Sequence, residues 1–146
     1  MTSTVVMRAL SGLHRALLTV SRGRFGGVLV GLPSLELVTV GRRSGRPRSS
    51  MLTAPVTLGD TLVVVASAGG NDAHPSWFLN LREHPQVRVA VAGGPRRPMR
   101  ARVATPEEHE RLWPQIVEAL PNYARYQERT SRVIPVVLLE PVRGPR

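Results

Sequence analysis

Four arginines fall within seven residues in the stretch Gly41-Arg42-Arg43-Ser44-Gly45-Arg46-Pro47-Arg48-Ser49-Ser50. Guanidinium groups this dense repel one another, and the glycines, proline and serines between them suit a backbone shape rather than a packed interior. The chemistry available to such a turn is the binding of an anion rich in oxygen. Planar guanidinium forks form paired, charge-assisted hydrogen bonds to phosphate or carboxylate. Each contributes about 1.5–3 kcal/mol where water is partly excluded.

Three other groups could share a ligand with that turn. Ser67-Ala68-Gly69-Gly70 is a loop of small residues, Pro75-Ser76-Trp77-Phe78-Leu79 opens an aromatic helix, and Tyr123 and Tyr126 stand three residues apart. On a helix that spacing puts both phenol rings on one face. The composition removes most covalent alternatives. All 20 basic residues are arginine and cysteine is absent. Schiff-base chemistry, a Walker-type phosphate loop, thiol nucleophiles, iron–sulfur clusters and cysteine-built zinc sites are therefore excluded. The histidines at 14, 74, 84 and 109 have no metal-site spacing and no serine nucleophile motif, so no metal is expected. No Gly-x-Gly-x-x-Gly dinucleotide fingerprint is present. What the residues pose is a binding problem.

The elements that must position these groups are short. Leu35 to Val40, Ser49 to Val56 and Thr61 to Ala66 read as three strands, the last two parted by a turn at Gly59-Asp60. Val87, Val89 and Val91 alternate with Arg88, Ala90 and Ala92, and Gly93-Gly94-Pro95 turns the chain into Met99 to Ala104, which predicts a hairpin. Thr105-Pro106-Glu107-Glu108 carries an N-cap threonine, a first-turn proline and a glutamate three residues on, so a helix starts there and runs to about Leu120. Val133 to Glu140 supplies a last strand. Many short strands with singly inserted helices predict an antiparallel, barrel-like α+β domain rather than a parallel sheet.

At 146 residues the chain suits one compact domain. Residues 1–31 form a separate unit, an amphipathic helix followed by a glycine-rich connection, and 32–146 form the barrel. Val6, Leu10, Leu13, Leu17 and Val20 fall on one side of that helix and Arg8, Ser11, Arg15 and Arg22 on the other. Two readings stay open: the stripe docks on the core, or the basic helix lies on an anionic membrane surface. No signal peptide or spanning segment is evident, and cysteine usage is compatible with a reducing compartment. A cytoplasmic protein is expected, with peripheral attachment to the inner face of the membrane under the second reading. The net charge of +10 invites a nucleic-acid reading, but six aromatic residues are few for a stacking surface and no nucleic-acid partner is expected.

The four motifs together, with Val-Gly-Arg-Arg-Ser-Gly-Arg-Pro-Arg from 40, Val-Ala-Ser-Ala-Gly-Gly from 65, His-Pro-Ser-Trp-Phe-Leu-Asn-Leu from 74, and Tyr-Ala-Arg-Tyr-Gln-Glu-Arg-Thr from 123 through Ile-Pro-Val-Val at 134, resemble the deazaflavin-dependent nitroreductase family. The resemblance runs from about Leu35 to Glu140. It implies a split β-barrel like that of the flavin reductases, and coenzyme F420, not flavin mononucleotide, as cofactor. It also implies hydride transfer from the reduced coenzyme to a small-molecule acceptor such as a quinone or nitroaromatic. A non-catalytic carrier of the same coenzyme, or a membrane-associated binding protein using the same pocket, is the alternative, and a monomer or a homodimer is expected.

That coenzyme carries a phosphodiester and an oligoglutamate tail, which the arginine turn suits. The resemblance assigns Arg42, Arg43, Ser44 and Arg48 to phosphate and tail, and leaves Arg46 aside because four adjacent side chains cannot all point one way. Ser49, Ser50, Met51 and Leu52 offer backbone groups to the ring edge. Ser67, Gly69 and Gly70 belong to the cofactor pocket, where Ala68 replaces a longer polar or basic side chain of many relatives. Pro75 and Trp77 flank the deazaflavin ring. Tyr123 and Tyr126 line the acceptor side as the candidate catalytic pair, and Leu120 fills a position that the family pattern makes aromatic.

Overall fold

A computed structural model of the protein describes residues 32–142. The proposed N-terminal helix and glycine-rich connection lie outside them. Seven strands, β1 (Ser34–Val40), β2 (Pro47–Thr53), β3 (Val56–Leu58), β4 (Thr61–Val65), β5 (Gln86–Val91), β6 (Arg97–Val103) and β7 (Val136–Pro141), make one sheet. Its order is β2-β1-β5-β6-β7-β4-β3 and every pairing is antiparallel. The sheet curls into the half-barrel of a split-barrel fold, as expected. Helices α1 (Ser76–Glu83), α2 (Pro106–Ala119) and α3 (Asn122–Glu128) are inserted between strands.

The continuous apolar runs in β4 and β7 have a simple cause: both strands are covered on both faces. Leu62, Val64, Val137 and Leu139 point into the barrel with Leu35, Leu37, Val87, Val89 and the α1 residues Trp77, Phe78 and Leu81. Their neighbours Val63, Val65, Val136 and Leu138 point the other way and pack under Leu112 and Ile116 of α2. Alternation therefore divides one valine-rich strand between two cores.

Three boundaries differ from the sequence reading. The run Ser49 to Val56 is split: the Ala54 amide hydrogen-bonds the Pro33 carbonyl at 3.0 Å, Pro55 has no N–H to continue a ladder, and β3 crosses to the opposite edge to pair with β4. β6 starts at Arg97, two residues before Met99. β7 starts at Val136 rather than Val133, because the Ile134 amide is taken at 3.0 Å by the Gln127 side-chain oxygen. Helix α2 begins as its cap foretold. Thr105 Oγ1 accepts from the Glu108 amide at 3.2 Å, and the Glu108 carboxylate accepts from the Thr105 amide at 2.9 Å.

Candidate functional site

The arginine turn joins β1 to β2 at one edge of the sheet. The Gly41 amide donates to the Arg46 carbonyl and the Gly45 amide to the Gly41 carbonyl, both at 2.8 Å, while Ser44 Oγ accepts from the Arg46 amide at 3.1 Å. Gly45 has φ +70°, which favours glycine, and a Cβ on Gly41 would crowd Ser44 Oγ at 2.6 Å and the Arg46 carbonyl at 3.1 Å. One arginine is anchored. The Asn80 side-chain oxygen accepts from the Arg42 amide at 3.1 Å and from its guanidinium at 2.9 Å, and Asn80 in turn donates to Thr39 Oγ1 at 3.2 Å. Arg43, Arg46 and Arg48 are exposed, and their guanidinium groups have no carboxylate or hydrogen-bond partner among the described residues.

Two clefts run along β2. A polar one of about 400 Å³ is lined by Arg42, Arg43, Ser44, Arg48, Ser49 and Ser50 with Ser76, Trp77 and Asn80. An apolar one of about 260 Å³ is lined by Met51, Leu52, Thr53, Ser67, Ala68, Pro75, Trp77, Leu120, Tyr123 and Tyr126 among others. Trp77 belongs to both, standing where the charged half meets the aromatic half. It is also a core residue, 9% exposed and edge-on to Phe78. β2 stands at the end of the strand order among the described residues. Arg46 lines neither. The Ser49 hydroxyl is turned away, donating to Glu36 at 2.7 Å, and Glu36 also pairs with Arg96 at 2.8 Å.

The tyrosine pair closes the apolar cleft. The rings meet edge to face, 5.9 Å apart, on α3, and both pack against the core under α2. Burial, then the neighbouring Tyr126, push the Tyr123 phenol up to about 12, so it is a proton-bearing donor at any physiological pH. The Arg129 guanidinium lies 5.7 Å from the Tyr126 ring centre.

The small-residue loop plays a different part from the others. Ala68, Gly69 and Gly70 all have positive φ, at 47°, 65° and 86°. Ser67 and Ala68 line the apolar cleft, but Gly69 and Gly70 line neither. Gly70 instead lets α3 close in, since a Cβ there would stand 2.8 Å from the Tyr126 carbonyl. Two residues were missed in the sequence. Asn80 carried a signal, a polar side chain one turn beyond Trp77 on an otherwise apolar helix face. Arg132 carried none: it sits beyond α3 and hydrogen-bonds the loop before α1. Among the described residues no cluster of histidine and carboxylate side chains could hold a metal.

A curled antiparallel half-barrel with a cationic turn opening onto an aromatic slot places the chain among the split-barrel reductases. The sequence profile of the F420H(2)-dependent quinone reductase family matches residues 11–141. An F420H(2)-dependent quinone reductase of Mycobacterium tuberculosis H37Rv is 40% identical over 132 residues, 87% of each chain. The solved structure of an F420-H2 dependent reductase is similar with a TM-score of 0.65 and 38% identity, covering 73% of this chain and 93% of that one. A second, described as a domain-swapped dimer, has a TM-score of 0.66 and 35% identity over 83% and 93%. The chain belongs to the F420H(2)-dependent quinone reductase family. It is thus an oxidoreductase whose cofactor is coenzyme F420.

Proposed function

We propose that the two clefts along β2 are a single binding track, in which Arg43 and Arg48 hold the anionic half of F420 while the apolar cleft holds its ring beneath a quinone. The observation that carries this is the sharing of Trp77 between a cleft rimmed by the exposed Arg43 and Arg48 and a cleft walled by tyrosines. The donor set fits: exposed arginines whose guanidinium groups have no partner among the described residues suit phosphate and carboxylate.

When bound in reduced form, the coenzyme supplies the hydride. The chain supplies the rest. Pro75 and Trp77 give a flat wall that fixes the ring plane and excludes water. Tyr123, and Tyr126 beside it, donate a hydrogen bond to the quinone oxygen that gains electron density as hydride arrives. Leu120 at the mouth leaves an aliphatic rim that suits a quinone ring and its apolar substituent. The family name supports quinones over nitro compounds as acceptors.

The test is a fluorescence titration with oxidised F420 at low ionic strength, with flavin mononucleotide as competitor. Binding at micromolar or lower concentration, undisturbed by the flavin, is expected; no binding overturns the reading. Among the described residues no helix is long and apolar enough to cross a membrane. Peripheral attachment through the N-terminal helix predicts that deleting residues 1–22 abolishes retention on anionic liposomes.

A further inference from the structure

Arg132 lies just past α3, half-buried, and carries no charge partner within salt-bridge distance among the described residues. Its guanidinium instead reaches four groups of one segment. Nε donates to the Asn71 carbonyl at 2.8 Å, one terminal nitrogen to the Ser67 carbonyl at 2.9 Å, and the other to the Ala66 carbonyl at 3.3 Å and to His74 Nδ1 at 3.0 Å. Residues 66–74 link β4 to α1 and lead directly to Pro75 and Trp77, the wall of the ring cleft. The arginine is itself tied to the opposite wall. Gln127 of α3 donates to the Arg132 carbonyl at 2.7 Å and accepts from the Ile134 amide at 3.0 Å.

We propose that Arg132 is a positioning residue that sets the spacing between the coenzyme wall (Ser67 to Trp77) and the acceptor wall (Tyr123, Tyr126), and so the alignment for hydride transfer. The proposal rests on the reading of this cleft given above. Several contacts converge on the same seam: Thr130 Oγ1 donates to Asp72 at 2.8 Å, Arg129 donates to the Gly69 carbonyl at 3.3 Å, and Gly70 abuts the Tyr126 carbonyl. Only a guanidinium has enough donors, in one plane, to satisfy four acceptors at once. Since Arg132 does not line either cleft, it acts through the walls it joins. Hydride transfer is sensitive to such spacing, because a misplacement of about 1 Å can cost on the order of 100-fold in rate.

The experiment compares the full chain with Arg132→Ala, Arg132→Lys and, as a control for plain stability loss, Arg102→Ala, whose ion pairs lie with Glu108 and Glu140. Three readouts are taken: F420 affinity by fluorescence, kcat and KM with the naphthoquinone menadione, and hydrogen–deuterium exchange. For Arg132→Ala we expect F420 affinity within about threefold of wild type, because the arginine turn is untouched, and kcat lowered about tenfold or more. Millimolar guanidinium should restore part of that loss. Exchange should rise in 66–74 and 122–130 and stay unchanged in the β5–β6 hairpin. Arg132→Lys should fall between, and it carries the test if the alanine variant does not fold. A kcat within twofold of wild type, an equal loss in Arg102→Ala, or unchanged exchange at 66–74 overturns the proposal. Failure of the wild type to bind F420 would overturn the cofactor reading instead, and the exchange result would still decide whether Arg132 couples the two walls.

Discussion

Arg42 is bound twice to Asn80, through its backbone amide and through its guanidinium, with both bonds ending on the same side-chain oxygen. This fastens the flexible-looking turn to helix α1, one helical turn away from Trp77. Charge placement and ring placement are therefore set by one helix. Asn80 is 3% exposed, and its amide nitrogen donates in turn to Thr39 Oγ1 at 3.2 Å.

The first prediction concerns that link. Asn80→Leu keeps the branched outline but removes the acceptor, freeing Arg42 and leaving the Thr39 hydroxyl without its donor. Loss of a buried hydrogen-bonded group costs about 1–3 kcal/mol. We expect the denaturant midpoint to fall accordingly and F420 affinity to drop roughly tenfold. Affinity unchanged in a destabilised protein would show that Arg42 need not be held.

The second concerns the exposed cations of the turn. Arg43→Ala and Arg48→Ala should each weaken F420 binding about tenfold or more, the expected worth of a charge-assisted bond. Arg46→Ala, outside both clefts, should change it less than about threefold, in keeping with exposed charges elsewhere. Raising salt should compress these differences. KM for menadione should not follow them. Equal losses at all three positions would mean a diffuse field rather than a site.

Much of this arrangement was readable in the chain, and the exceptions share a cause. Strand alternation in Val87 to Val91, the capping box at Thr105 and Glu108 and the tyrosine spacing are local signals, each complete within a few residues, and the fold follows them. The break at Ala54-Pro55 depends on Pro33, some twenty residues earlier, and the late start of β7 depends on a glutamine side chain in α3. Neither has a periodic signature. The same holds in the site. The arginine cluster declares itself by density, whereas Arg132 is one of 20 arginines and owes its interest wholly to where residues 66–74 come to lie. The sequence places Gly70 in the cofactor pocket, whereas it lines neither cleft and admits α3, a part that only the tertiary contact reveals.

The third prediction follows from Tyr123. Its phenol is pushed up to about 12, above the ordinary value of 10.0, because burial disfavours the phenolate. A raised value means that the folded state holds the proton more tightly than the unfolded chain. The associated stability is fully present below pH 10 and is lost as pH rises from 10 towards 12. For catalysis the consequence is a flat limb: kcat should not fall between pH 7 and 10 through loss of the Tyr123 proton. Tyr123→Phe should lower kcat about tenfold or more with F420 affinity retained. A rate that rises with pH in that window would point to a phenolate base and against hydrogen-bond donation.

The fourth isolates the scaffold from the site. Glu108 is held down to about 2, first by the Arg102 guanidinium at 2.7 Å and then by the Thr105 amide. A depressed carboxyl stabilises the fold above its ordinary value near 4.5, and that contribution disappears as pH falls from 4.5 towards 2. Glu108→Ala removes both the ion pair and half of the capping box, and should cost about 1–2 kcal/mol at neutral pH after allowance for the partial exposure of Arg102. The variant should also lose less stability than wild type on acidification, because the titrating group is gone. Helix α2 separates this cap from Leu120 at the cleft by 14 residues, about 20 Å of helix. F420 affinity and kcat at pH 7 should consequently match wild type. A parallel loss of binding would mean that the start of α2 and the cleft are coupled through the helix, and that the two clefts along β2 are not the whole of the site.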